Sequence, residues 1–182
     1  MAYINIDENL PGIQGLMHFR PETAQPMNDL AEALLRSENS LSCGERELIA
    51  TYVSYLNDCF FCQHAHGGIA QHYLQCDLSL IDTVKDDYYN SPVSDKLKAL
   101  LTIAGSVQKG GKNVTKEQVA KARALGASER EIHDTALISA AFCMFNRYVD
   151  GLGTSAPANR EFYIKRGKQR AEEGYAHYDP KN

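Results

Sequence analysis

The 182-residue chain has no tryptophan, almost no strand-like alternation and no long apolar run. Its longest stretch dominated by apolar residues, Ala136 to Phe145, is about half of the ~20 residues a membrane-spanning helix needs, and it carries Ser139 and Cys143. A membrane role is therefore not expected. Neither charge sign dominates: 19 Lys and Arg face 23 Asp and Glu, a net of −4. That balance offers no electrostatic footprint for nucleic acid. The opening MAYINIDENL has neither the basic start nor the apolar core of a signal peptide. The cysteines number five, an odd count that argues against a disulfide scaffold. They are expected to be reduced, in the cytoplasm, where a cysteine cluster points to metal or redox chemistry.

What is present reads as all-α. The first 26 residues, with Pro11, Pro21, Pro26, Gly12 and Gly15, read as an irregular arm. Residues 27–155 read as the helical domain and 156–182 as a polar helical extension. In the domain, Leu30, Ala31, Leu34 and Leu35 mark one amphipathic helix. Ser42-Cys-Gly-Glu45 has the form of a capping box for a helix reaching about Leu56. Asn57-Asp58 interrupts it, and Asp58 is expected to cap the next helix, running from Cys59 to Gln75. Further helices are expected over 78–86 and 95–108, and others open at Thr115-x-x-Gln118 and Ser128-x-x-Glu131. The last of these, 128–150, is apolar over most of its circumference, so it is expected either at the centre of the core or pressed against another subunit, a hint of homo-oligomerisation. Residues 159–175 read as a terminal helix with a solvated charged face.

The chemistry is concentrated in Glu47 and in Cys59-Phe-Phe-Cys62-Gln-His-Ala-His66. At about 100° per residue, Cys59, Cys62 and His66 fall within one arc of about 60° on their helix, and His64 faces elsewhere. Free N–H groups and the positive dipole end at the helix start favour a thiolate. The C-x-x-C spacing allows one thiol to assist the other, and a histidine one turn on can take or hold a proton. If the two helices fold back on each other, Glu47 could orient His66.

Glu-x(11)-Cys-x(2)-Cys-x(3)-His, here Glu47, Cys59, Cys62 and His66, resembles the signature of the alkylhydroperoxidase D-like family, which includes the carboxymuconolactone decarboxylases. The flanking Arg46-Glu-Leu-Ile-Ala50 and Ser54-x-x-Asn57 are similar too. So is Phe145-Asn-Arg147 with Asp150-Gly-Leu-Gly153, which resembles the peroxidase-related branch. The resemblance implies an all-helical homo-oligomer that reduces hydroperoxides without a cofactor. Cys62 would be the peroxidatic cysteine and Cys59 the resolving one, with Glu47 and His66 moving protons. An external dithiol would then reduce the disulfide. One departure is plain: where well-described members place a second histidine before the second cysteine, this chain has Phe61.

Two other readings attach to the same residues. Glu47 and His66 could serve a lyase as acid and base, and the two thiols with His66 could contribute to a structural zinc site. His64 and His72 read as surface residues, and Cys43, Cys76 and Cys143 as packing residues. Phe60 and Phe61 suggest an apolar approach to the thiols. Gly110-Gly-Lys112 is not a phosphate-binding loop, because no Ser or Thr follows the lysine.

Overall fold

A computed structural model describes residues 2–176. Among them no strand occurs. The helices are α1 (Ile13–Phe19), α2 (Pro21–Leu35), α3 (Cys43–Leu56), α4 (Phe60–Leu74), α5 (Leu78–Asp87), α6 (Asp95–Lys109), α7 (Lys116–Ala124), α8 (Glu129–Gly151) and α9 (Arg160–Glu173). The starts of α3, α7 and α8 are fixed by reciprocal capping boxes: Ser42 with Glu45, Thr115 with Gln118, and Ser128 with Glu131. In each, two backbone N–H groups that lack helical acceptors find side-chain oxygens instead.

Two expectations are corrected. The N-terminal arm is not irregular throughout, because α1 and most of the first half of α2 lie within it. Pro21 sits at the start of α2, where its missing N–H is an orphan anyway. Pro26 is only one turn further in, so it removes a single helical bond. Asp58 does not cap α4. It adopts the left-handed region at φ 57°, and Cys59, extended at ψ 96°, is the N-cap residue. Helix α9 does expose Glu161, Lys165, Lys168, Glu172 and Glu173, and on its other side it buries Tyr163, Gly167 and Ala171. Residues 177–182 of the expected extension lie outside the described residues.

The core forms around α3, which packs on α4, α6 and α8, while α9 runs along α4. Leu48, Ile49, Leu100, Leu101, Ile138 and Phe142 are essentially without exposed surface. Each such side chain contributes roughly 1.5–3 kcal/mol by leaving water. Helix α8 divides into two faces, with Ile138, Phe142 and Phe145 buried and Leu137, Ala140 and Met144 exposed.

The short α3–α4 link is pinned by polar side chains. Asn57 donates to Asn146 Oδ1 at 2.8 Å and accepts from Gln108 at 2.9 Å. Asn146, fully buried, donates to Ser54 Oγ at 3.1 Å. The Cys59 N–H donates to the Ser54 carbonyl at 3.0 Å, and the Cys59 carbonyl accepts from the Gln63 N–H at 3.0 Å. A satisfied buried network is rigid because breaking any bond strands a polar group. It therefore fixes Cys59 relative to α3, α6 and α8.

Candidate functional site

The antiparallel approach of α3 and α4 sets Glu47 against His66, with Oε2 and Nδ1 2.7 Å apart. Glu47 has no exposed surface. Its other oxygen, Oε1, accepts a hydrogen bond from the Tyr175 hydroxyl at 2.7 Å, and that hydroxyl lies 3.3 Å from His66 Nδ1. Burial, followed by the charge on Glu47 and the hydrogen bond to it, pushes the Tyr175 phenol well above its ordinary pKa. It therefore remains a donor throughout the neutral range. In the tautomer that donates from Nδ1 to Glu47, Nε2 is left as the acceptor. The ring is seated edge-on against Phe142, with centroids 4.6 Å apart.

Sequence reasoning missed Tyr175. The signal was a seam with a four-residue repeat, Tyr163, Gly167, Ala171 and Tyr175, which puts one face of the last helix and its exit against the protein. Backbone contact makes the seam close: a Cβ on Gly167 would lie 2.5 Å from the Gly68 carbonyl carbon, and one on Gly68 would lie 2.5 Å from the Tyr163 carbonyl oxygen. At the end of α9 the chain turns through Gly174 at φ 80°. The Tyr175 N–H then donates to Glu32 Oε2 at 2.7 Å. Arg36, bonded to Glu32, also donates to the Ala171 carbonyl at 2.6 Å, which ties the helix end to α2.

Cys59 and Cys62 are both free thiols. Cys62 is the third residue of α4, among the free N–H groups of the first turn, which favour an anion. Cys59 stands just before the helix, so the helical wheel on which it was aligned with Cys62 does not extend to it. A hydrogen bond to Cys62, burial and the Cys62 charge push the Cys59 thiol far above its ordinary pKa, and the Asp150 carboxylate adds to the effect. Asp150 is itself raised by partial burial, opposed by its hydrogen bond with Cys59. Within the pair, Cys59 is therefore the thiol whose proton is held.

Beside the pair opens an apolar cleft of about 840 Å³, counted out to its mouth. Cys62, His66, Tyr163 and Tyr175 line it together with Phe61, Phe142, Phe145 and Phe162, and Arg166 and Arg170 also contribute. Cys59 does not line it and has no exposed surface. Of the two phenylalanines read as an apolar approach, only Phe61 faces the cleft, and Phe60 is 42% exposed. His64 donates from Nδ1 to the Phe60 carbonyl at 2.8 Å, and His72 is exposed. Among the described residues, no three His, Cys, Asp or Glu side chains converge as metal ligands. Among the described residues, no helix is long and apolar enough to cross a membrane.

The sequence model of the carboxymuconolactone decarboxylase family matches residues 21–73 and 79–154. No curated protein matches the chain. Solved structures do. A peroxidase-related protein from Ralstonia eutropha JMP134, described as an alkylhydroperoxidase AhpD core, is 26% identical with a TM-score of 0.77, over 87% of this chain and 81% of that one. A peroxidase-related protein from Silicibacter sp. TM1040 is 25% identical with a TM-score of 0.76, over 86% and 80%. A protein of unknown function from Agrobacterium tumefaciens, 22% identical over 87% and 100% with a TM-score of 0.71, shares the fold. With all-helical architecture and a family match over most of its length, the chain belongs to the carboxymuconolactone decarboxylase family and has the AhpD-like fold.

Proposed function

We propose that the protein is a cofactor-free thiol peroxidase that reduces organic hydroperoxides. The observation that carries this reading is the asymmetry of the two thiols: Cys62 opens to the cleft beside His66, and Cys59 lies behind it without exposed surface. His66 Nε2 takes the Cys62 proton, and Glu47, held by Tyr175, supports the resulting imidazolium. The Cys62 thiolate attacks the terminal hydroperoxide oxygen. An S–O bond forms, the O–O bond breaks, and the departing alkoxide takes the proton back from His66 as an alcohol. Cys62 is then a sulfenic acid.

Once Cys62 carries an oxygen, neither its hydrogen bond to Cys59 nor its charge holds the proton on Cys59 as before. The Cys59 sulfur attacks Cys62, the S–S bond forms, and the sulfenic oxygen leaves with protons as water. An external dithiol restores both thiols by exchange. The aromatic and aliphatic walls of the cleft favour hydroperoxides with an apolar substituent, whose burial contributes about 25 cal/mol per Å².

Thiol titration after substoichiometric cumene hydroperoxide tests the reading. Two thiols should disappear for each hydroperoxide consumed in the wild type. Cys62→Ser should consume no peroxide, and Cys59→Ser should stop at a trappable sulfenate. The family's other chemistry has its own support here, since the Glu47, His66 and Tyr175 set is complete without either thiol. Retention of all thiols would favour that acid–base lyase. The exposed Leu137, Ala140 and Met144 on α8 support self-association, and sedimentation showing only monomer at micromolar concentration would remove that part of the proposal.

A further inference from the structure

The mechanism above leaves one group at the thiols unused. Tyr163, on α9, is 2% exposed and belongs to the same buried cluster as Cys59, Cys62 and Val149. Its ring is held edge-on by Phe162 at 5.1 Å and by Phe61 at 5.9 Å. Its hydroxyl is buried and has no hydrogen-bond partner among the described residues. Tyr55, Tyr73, Tyr88 and Tyr175 all place theirs on an oxygen. Burying an unpaired hydroxyl is unfavourable, and phenylalanine would fill the same space without that cost.

We propose that Tyr163 is a catalytic residue whose hydroxyl donates a hydrogen bond to the oxygen that comes to Cys62. That oxygen is first the terminal oxygen of the hydroperoxide and then the oxygen of the Cys62 sulfenate. The assignment rests on the thiol-peroxidase reading and adds to it the donor that holds the transferred oxygen. Tyr163 gives up no proton. Burial, with the nearby Cys62 and Cys59 charges, raises its pKa, so it is a donor throughout the neutral range. Proton transfer stays with His66. The position of Tyr163 is set by the backbone, because its carbonyl rests on Gly68 of α4, at a distance that leaves no room for a Cβ.

Tyr163→Phe tests the proposal in two measurements. Stopped-flow kcat/KM for cumene hydroperoxide should fall roughly 10- to 100-fold, the loss of the donor that positions the terminal oxygen in line with the Cys62 sulfur. In the Cys59→Ser background, the same change should speed dimedone trapping of the sulfenate, whose oxygen is no longer held. The melting temperature should stay level or rise, because an unpaired buried hydroxyl has been removed. A rate within twofold of wild type, or a lower melting temperature with unchanged trapping, overturns the assignment. A wild-type chain that loses no thiol to hydroperoxide sinks both readings, whereas a fully active Tyr163→Phe sinks this one alone.

Discussion

The α3–α4 hairpin and the α9 segment reach the same cleft by opposite means. The hairpin is buried along most of its length: Glu47 through Ser54 form an uninterrupted buried run, and Gly67 through Ala70 form another on the facing helix. Helix α9, REFYIKRGKQRAEE, is charged on most sides and buries only Tyr163, Gly167 and Ala171. Yet both supply groups to one site. The hairpin brings the thiols, Glu47 and His66, and α9 with its exit brings the two phenols. A helix needs only a narrow strip of small residues to become integral, provided that its partner is equally small where they cross. Gly68 against Gly167 is that crossing.

If α9 is as integral as the hairpin, a wedge at the crossing should be costly. Gly167→Val places side-chain atoms where even a Cβ would stand 2.5 Å from the Gly68 carbonyl carbon. The expected destabilisation is about 3 kcal/mol, read from the urea midpoint at constant slope. Peroxide turnover should fall with it as Tyr163 and Tyr175 move off the cleft. Lys168→Ala, one residue on and exposed, should stay within about 0.5 kcal/mol. Equal, small effects from the two substitutions would return α9 to the status of a solvated appendage.

A smaller effect is expected from Tyr175→Phe, which keeps the shape and removes one hydroxyl. Glu47 Oε1 then loses its donor in a site with no exposed surface, at a cost of about 1–3 kcal/mol. The hairpin carries the carboxylate, so the loss is felt there although the substitution lies outside it. Urea unfolding that matched the wild type would separate the two regions again.

The difference between the regions also explains what could be read from sequence. Capping boxes are local: Ser42, Thr115 and Ser128 each announce a helix through a residue three positions on, and all three helices start where those pairs put them. The spacing from Glu47 to His66 was legible for a related reason, since a short Asn57-Asp58 link leaves two helices little choice but to fold back. The N-terminal prolines were ambiguous, because the residue that breaks a helix interior is also favoured at its first turn. Tyr175 was hidden because its partner, Glu47, is 128 residues away and its neighbours are charged. Even so, the spacing of Tyr163, Gly167, Ala171 and Tyr175 was there to be seen. The assignment of Cys59 to the helix failed for a subtler cause: a left-handed Asp58 has no sequence marker as strong as glycine.

The finest distinction lies inside the hairpin, between its two sulfurs, and it shows how far the hairpin works independently of α9. The hydrogen bond to Cys62 is the largest effect raising the Cys59 thiol, ahead of burial, the Cys62 charge and Asp150. Cys62→Ser replaces the ionisable sulfur with a hydroxyl that stays neutral, so the hydrogen bond to an anion and the charge are both lost. Burial and Asp150 persist. The Cys59 pKa should therefore move down toward, but not reach, the ordinary thiol value of ~8.5. Because the thiolate is the form that reacts, its alkylation by iodoacetamide should begin at lower pH than in the wild type. Tyr163→Phe removes a neutral hydroxyl on α9 and leaves the thiol–thiol contact in place, so it should leave that pH profile where it was. A shift of equal size in both variants would mean that the thiol pair is tuned from α9 as much as from its own hairpin, and that the two regions are electrostatically one.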